Sequence, residues 1–212
     1  MVGESRWPMA GAVLTTMILT ALLPEEQRAF PAWLLPLIEG MLLAALIAGD
    51  PGAIDRRSRV LRVLSIGLVS ILVLSALAAT ALLIDVLING GPQTQSAGDL
   101  LTVGAIVWAG NNIAFALLYW ELDSGGAAAR AHQLRPNADF AFPQQLNPDI
   151  APADWRPQFV DYLYLGFTNA TAFSPTDAMP MAPWAKSAMM VQSLISLAIL
   201  GLVIARAVNL LT

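Results

Sequence analysis

The chain has 212 residues, of which 57% are hydrophobic and 12% are charged, and its mean hydropathy is +0.63. Soluble globular domains carry about 25% charged residues, so this composition excludes an ordinary soluble domain. The net charge of −4 is spread over short loops and suggests no nucleic-acid partner, and the lack of cysteine excludes disulfides, thiol catalysis and cysteine metal sites.

Long apolar segments occupy most of the chain. A helix of about 20 apolar residues crosses about 30 Å of hydrocarbon, so these segments predict transmembrane helices. We expect an all-α, polytopic integral membrane protein with five or six transmembrane helices, a multi-pass protein of a bacterial inner membrane whose main partner is the lipid bilayer. Residues 1–97 would hold the N-terminal helices and residues 98–212 a second half. The predicted helices are 8–23, 31–49, 60–88, 98–121, a short helix at 158–172 and a last helix at 184–211.

Three polar side chains fall near the middle of predicted transmembrane helices: Glu39 in the second, and Asn111 and Asn112 in the fourth. A carboxylate at membrane depth is costly unless it is neutral or paired, and by default it suggests a function. One interpretation is a proton- or cation-sensitive site of Glu39 with Asn111 or Asn112. The other is a protonated Glu39 that forms hydrogen bonds between helices. Polar residues of the last helix, which either join helices or line a pore, are Gln192, Ser193 and Ser196.

The longest polar segment, 122–157, is rich in proline and has little periodicity. We predict a mostly irregular cap on the membrane surface. Phe140, Phe142 and Trp155 would anchor it in the interface, where aromatic side chains are enriched.

His132 is the single histidine, and in this polar segment we expect it to be exposed. The sequence does not pair a nucleophile with a histidine, and it gathers no metal ligands at membrane depth. We therefore expect no enzyme activity, no catalytic residue, no cofactor and no metal site.

A familiar pattern begins at Tyr164. Tyr164, Phe167 and Thr171, followed by Asp177 and Pro180, stand at the spacing of a pore helix and the D-x-x-P that follows an ion filter. In this register the segment 98–209 resembles the pore module of the potassium-channel superfamily. FALLYWELD at 115–123 and the ending VIARAVNLL are similar to the helix ends of that module.

The whole chain also resembles an uncharacterised bacterial family of multi-spanning membrane proteins, a domain of unknown function. The motifs that carry this resemblance are DRRSR at 55–59, LLYWELD and DYLYLGFT at 161–168. This second resemblance implies no known activity.

The filter itself departs from the potassium-channel pattern. Its two glycines would be Ser174 and Thr176, its tyrosine Pro175 and its first threonine Ala172. Filter glycines adopt backbone conformations that direct carbonyls at the ion, and β-branched residues disfavour positive φ while proline fixes φ near −65°. Potassium selection by the usual carbonyl ladder is therefore not expected.

In place of the filter the sequence has a polar break between the short helix and the last helix. Its oxygen atoms suit a hydrated monovalent cation or a small polar solute. On this interpretation the chain is ion-channel-like, with an altered pore loop, and forms a homo-oligomer. The alternative is a plain helix–loop–helix corner in a non-conducting six-span protein with a structural, assembly or sensing role. The pore-loop candidates are Thr168, Asn169, Thr171, Ser174, Thr176 and Asp177.

Length and charge give different answers about 158–172. As a helix it measures about 22 Å, which is short of a full crossing and favours a re-entrant helix. Six full spans would place nearly all Lys and Arg on the cytoplasmic side, as the positive-inside rule requires, whereas a conventionally oriented channel would reverse that distribution. An inverted pore loop that opens to the cytoplasm also satisfies the rule, and it places the C-terminus outside.

Overall fold

The computed structural model describes residues 3–90, 96–132, 138–147, 149, 151–152, 155–172 and 178–211. It confirms the all-helical prediction, since strands occupy only two short antiparallel pairs in the part of the chain that is described. The helices are α1 (Trp7–Leu22), α2 (Leu34–Gly49), α3 (Arg59–Asn89), α4 (Ala97–Leu122), α5 (Ala127–Ala131), α6 (Pro143–Leu146), α7 (Phe159–Ala172) and α8 (Pro183–Leu211). The strands are β1 (Glu4–Ser5), β2 (Ala53–Ile54), β3 (Phe140–Ala141) and β4 (Met179–Pro180).

Three helices are long and apolar enough to cross a membrane: α3, α4 and α8. A serine caps the start of each of the first two, one position before the helix begins. Ser58 Oγ accepts a hydrogen bond from the amide of Leu61, and Ser96 Oγ accepts one from the amide of Asp99, so each serine satisfies one of the amides that a helix start leaves unpaired. Helices α1 and α2 are apolar but shorter, with 16 residues each.

Helix α2 begins at Leu34, three residues later than predicted. The preceding residues form a turn in which the amide of Leu34 donates to the carbonyl of Pro31 at 3.0 Å. The other predicted boundaries agree with the structure to within a residue or two.

Two ion pairs show which helix ends meet at one end of the bundle. Arg6, before α1, bonds to Asp50 at the end of α2, and Arg62 in the first turn of α3 bonds to Glu121 in the last turn of α4. The segment between α4 and α7, here called the cap, lies at the same end, which we call the cap end.

The far end of the bundle has its own apolar core. Leu23 after α1, Leu87 near the end of α3, Leu100 near the start of α4 and Ala207 near the end of α8 belong to one buried cluster. Helices α1 to α4 and α8 therefore run between the two ends.

The cap is more ordered than the sequence suggested. It contains α5, α6 and β3, and its aromatic residues pack inside the protein rather than at a surface: Phe140 is 0% exposed and Phe142 is buried. The ring of Phe140 lies 5.3 Å from that of Tyr119 and 5.6 Å from that of Trp184. The prediction that Phe140 and Phe142 anchor the protein in an interface is wrong, because these rings are core residues that join the cap to α4, α7 and α8.

Helices α7 and α8 both begin at the cap end. Strand β4, just before α8, pairs with β3 in the cap, and the carbonyl of Asp139 accepts from the amides of Met181 and Ala182 at 2.8 and 3.2 Å. The 14 residues of α7 extend about 21 Å, about half of the 43 Å of the 29-residue α8. Helix α7 therefore enters the bundle from the cap end and ends partway along it.

Candidate functional site

The candidate site lies where α7 ends between α4 and α8. Gln192 of α8 is 1% exposed and bonds to both neighbouring helices. Its Oε1 accepts from the Tyr119 hydroxyl and from Asn169 Nδ2, both at 2.7 Å. Its Nε2 donates to the carbonyl of Gly166 at 3.0 Å and to Asn112 Oδ1 at 3.3 Å. One buried amide therefore joins α4, α7 and α8, and we call these side chains and their neighbours the central network.

Asn169 ties the last turn of α7 to α8. Its Nδ2 also donates to the carbonyl of Met189 at 3.0 Å, and the hydroxyl of Ser193 donates to Asn169 Oδ1 at 3.1 Å. Every polar atom of the Asn169 side chain is thereby engaged within the protein.

Ser196 lies one turn further along α8. Its Oγ accepts from Trp108 Nε1 at 2.9 Å, and the ring of Trp108 packs edge-on to that of Phe167 at 5.8 Å. Asn112 completes the group by donating to the Trp108 carbonyl at 3.4 Å. The structure thus brings together five of the predicted polar residues: Asn112, Asn169, Gln192, Ser193 and Ser196.

The remaining pore-loop candidates that the structure describes do not join the central network. Thr168 is buried and Thr171 is exposed, and each hydroxyl donates to backbone carbonyls of α7 itself. The other candidates, Ser174, Thr176 and Asp177, lie outside the described residues.

The exposed side of α7 is a defined stripe. Val160, Tyr164, Phe167 and Thr171 are exposed, and their spacing of three or four residues puts them on one face of the helix. The opposite face carries Asn169 into the central network. Helix α7 therefore keeps a mostly apolar face, with the hydroxyl groups of Tyr164 and Thr171, for contacts outside the chain.

Glu39 forms no hydrogen bond with Asn111 or Asn112. Asn111 Nδ2 donates to Thr80 Oγ1 of α3 at 2.7 Å and to the carbonyl of Val107 at 3.0 Å. Glu39 is 0% exposed, and within the described chain neither of its oxygens has a hydrogen-bond partner. Both predictions for Glu39 are wrong. One asparagine bonds to α3 and the other joins the central network, and Glu39 itself forms no hydrogen bond between helices within the described chain.

A second polar group holds the start of α7. Glu4 of β1 accepts from Trp120 Nε1 at 2.9 Å, from Arg130 Nη2 at 3.5 Å and from the amide of Phe159, the first residue of α7. Burial raises the pKa of Glu4, and the charge of Arg130 opposes that shift. A carboxylate beside the first amide of a helix is favourable because of the helix dipole.

Asp123 of the cap fixes the same region from the other side. Its carboxylate accepts from the hydroxyl of Tyr162 in α7 and from the amides of Asp139 and Phe140, at 2.9 and 3.2 Å. The cap is thereby bonded to the first turn of α7, and α7 is held at both of its ends.

Tyr119 and Trp108 are site residues that the sequence analysis did not single out. Asn112 and Tyr119 are seven residues apart, as are two positions on one face of a helix, and Gln192 and Ser196 are four apart. That spacing was the available signal. It could not show that the two polar faces meet, because they belong to distant parts of the chain.

The chemistry of the site is that of neutral hydrogen-bonding groups. Among the described residues no group of three or more His, Asp or Glu side chains lies close enough to hold a metal ion. His132 is exposed as predicted and contacts Asp55, with Nε2 2.9 Å from that residue's carbonyl oxygen.

Comparison with known proteins finds no relative of this chain. No family model matches the chain, and neither a curated protein nor a solved structure shows significant similarity to it. The function is therefore argued from the chain's own geometry.

Proposed function

We propose that this chain is a polytopic membrane protein with five spans and a re-entrant helix, and that it acts as an ion-channel-like protein. The spans would be α1, α2, α3, α4 and α8, with α7 entering the bilayer and turning back. The observation that carries the proposal is that α7 and α8 begin at the same end of the bundle, while α7 stops about halfway along α8. A half-length helix followed by a long inner helix is the arrangement that the resemblance to a pore module implies.

The distribution of positive charge supports an orientation. By the positive-inside rule, the end of a membrane protein that is rich in Lys and Arg faces the cytoplasm. In the described chain the far end carries Arg28 and Arg206. The basic residues at the cap end are Arg6, Arg56, Arg57, Arg59, Arg62, Arg130, Arg156 and Lys186. The re-entrant helix would thus enter from the cytoplasmic side, as the inverted alternative predicts.

A conducting path through a single chain is not favoured, because the central network is closed. The side chains of Gln192, Asn169 and Ser196 each bond to a neighbouring helix, so their polar atoms are already engaged within the protein. A path would instead run between copies of the chain, beside the exposed face of α7 and its hydroxyl at Thr171. We therefore propose a homo-oligomer that passes a monovalent cation or a small polar solute without a standard potassium filter.

The test is flux through liposomes that hold the purified chain, measured separately with potassium, sodium and glycerol. We expect flux above that of empty liposomes for at least one of them. Thr171→Val should change this flux severalfold, whereas Thr168→Val should leave it close to wild type, since both lose a hydroxyl that bonds to the helix backbone but only position 171 is exposed.

A second candidate function is favoured by the closure of the central network. Polar side chains that satisfy one another hold helices in place, and they would serve a non-conducting protein with a structural, assembly or sensing role equally well. Folded protein that passes none of the three solutes would contradict the channel and support this second candidate.

A further inference from the structure

A cavity of about 350 Å³ lies at the cap end, away from the central network. It is bounded by the end of α2, the loop before α3, the first turns of α3, the last turn of α4 and the start of α5. Part of its lining is apolar, with Leu46, Leu61 and Trp120, and part is polar or charged. No part of the proposed conduction path uses this cavity.

Five arginines line the cavity, and they face two carboxylates, Asp50 and Glu121. Both carboxylates are already occupied. Asp50 Oδ2 accepts from Arg6 at 3.3 Å and from the backbone amides of Asp55 and Arg56, each at 3.1 Å. Since Arg6 is 4% exposed, this group is a buried support that shapes the arginine-rich loop.

Glu121 is occupied in the same way. It bonds to Arg62, whose Nη1 also donates to the Glu121 carbonyl oxygen at 2.7 Å, and Oε2 accepts from Ser65 Oγ at 2.6 Å. Gly126 leaves the room that this arrangement needs, because a Cβ there would lie 2.0 Å from Arg62 Nη1. The two ion pairs thus hold Arg6 and Arg62 in fixed positions.

The other arginines of the cavity keep uncompensated charge. The side chains of Arg57 and Arg59 make no hydrogen bond or ion pair with any described residue, and the Arg56 side chain donates only to the carbonyl of Gly49, at 2.6 Å. Arg59 is also the first residue of α3, where the helix dipole favours an anion. The cavity therefore has the charge of a receptor for an anion.

We propose that this cavity binds a phosphate group, as carried by the headgroup of an anionic phospholipid. Guanidinium groups match phosphate oxygens in geometry and charge, and basic pockets between helices on the cytoplasmic side of membrane proteins bind anionic headgroups. The apolar part of the lining, which includes Leu46, Leu61 and Trp120, suits the glycerol and the first acyl carbons. Free phosphate shares the same chemistry, and the experiment distinguishes it from the lipid.

The test measures the melting temperature of the purified full chain in uncharged detergent. The probe is phosphatidylglycerol with two six-carbon chains, compared with phosphatidylcholine of the same chain length and with inorganic phosphate. At saturation the phosphatidylglycerol should raise the melting temperature by about 5 °C, and the zwitterionic lipid by much less. An equal shift with inorganic phosphate also supports the phosphate site and identifies its source as free phosphate.

Matched variants make the assignment specific. The double variant Arg57→Gln with Arg59→Gln should lose most of the shift, and because both side chains are exposed and unpaired it should still fold. Lys186→Gln, which removes an exposed charge outside the cavity, should keep the shift. The proposal is overturned if no probe stabilises the wild type, or if the double variant responds as the wild type does. Flux is measured separately, so failure of this site leaves the channel proposal standing.

Discussion

At the residue scale, Gln192 carries the most connections in the central network. Replacing it with methionine keeps the length of the side chain but leaves the Tyr119 hydroxyl and the Asn169 amide without their acceptor. A buried polar group that loses its partner costs about 1–3 kcal/mol, so we expect Gln192→Met to lower the free energy of unfolding by about 3 kcal/mol. Reversible unfolding in detergent micelles measures this change.

Met190→Leu is the matched control, because residue 190 is two positions away on α8 and 60% exposed. It should stay within about 0.5 kcal/mol of wild type. If Gln192→Met were as stable as this control, the network would add nothing to the position of α7, and the account of how that helix is held would be wrong.

Some residues of the site could be predicted from the sequence and others could not. Asn112 and Ser196 were predicted because a polar side chain in an apolar run stands out in the sequence, and Asn169 because it belongs to the polar break of the segment that resembles a pore loop. Tyr119 and Trp108 were not, because an aromatic residue in such a run looks like a core residue, and only the bonds to Gln192 and Ser196 reveal its polar role. Glu39 was predicted in a pair that does not form, since spacing along two separate helices says nothing of which faces meet.

At the scale of elements, the packing of α4 against α8 depends on a close approach at Gly104. A Cβ at this position would lie 2.9 and 3.0 Å from the two methyl carbons of Val203 on α8. Valine has little rotamer freedom in a helix, so the two helices would have to separate. We expect Gly104→Ala to lower the free energy of unfolding by about 2 kcal/mol, as overpacking does in other cores, with the same detergent unfolding as the measurement.

Gly110→Ala, on the same helix, is the comparison, since a Cβ at position 110 meets nothing within 4 Å. Alanine is the better helix former, so this change should be neutral or stabilise the protein by up to about 1 kcal/mol. Similar effects of the two substitutions would show that the contact with Val203 does not limit how closely α4 and α8 pack.

Element boundaries were the most predictable part of the fold, and element directions were the least. The ends of α3 and α4 follow from long apolar runs that stop at polar residues, which is local information. The end of the bundle at which α8 begins depends on the pairing of Phe140 with Pro180 and on the ring contact between Phe140 and Trp184, which join residues about 40 positions apart. Length favoured a re-entrant helix, but the distribution of Lys and Arg fitted a full crossing as well, so the sequence left both arrangements open.

At the scale of the whole molecule, the direction of α8 fixes where the two termini lie. With α1 to α4 and α8 running between the ends, Gly3 lies at the cap end and the last turn of α8 at the far end. If the bundle spans the bilayer with its arginine-rich end in the cytoplasm, the N-terminus is cytoplasmic and the C-terminus is outside.

Reporters that are active on only one side of the membrane test this prediction when fused to each terminus. Two internal insertions calibrate the signal. One lies in the cap, which should behave as the N-terminus does, and the other lies between α3 and α4, which should behave as the C-terminus does. Termini on the same side would require an even number of crossings, so α7 would have to span the bilayer, and the proposed re-entrant arrangement and its channel function would both fail. Termini on opposite sides, with the N-terminus and the cap in the cytoplasm, would fit a short helix that enters beside the arginine-rich cavity and is held halfway by Gln192.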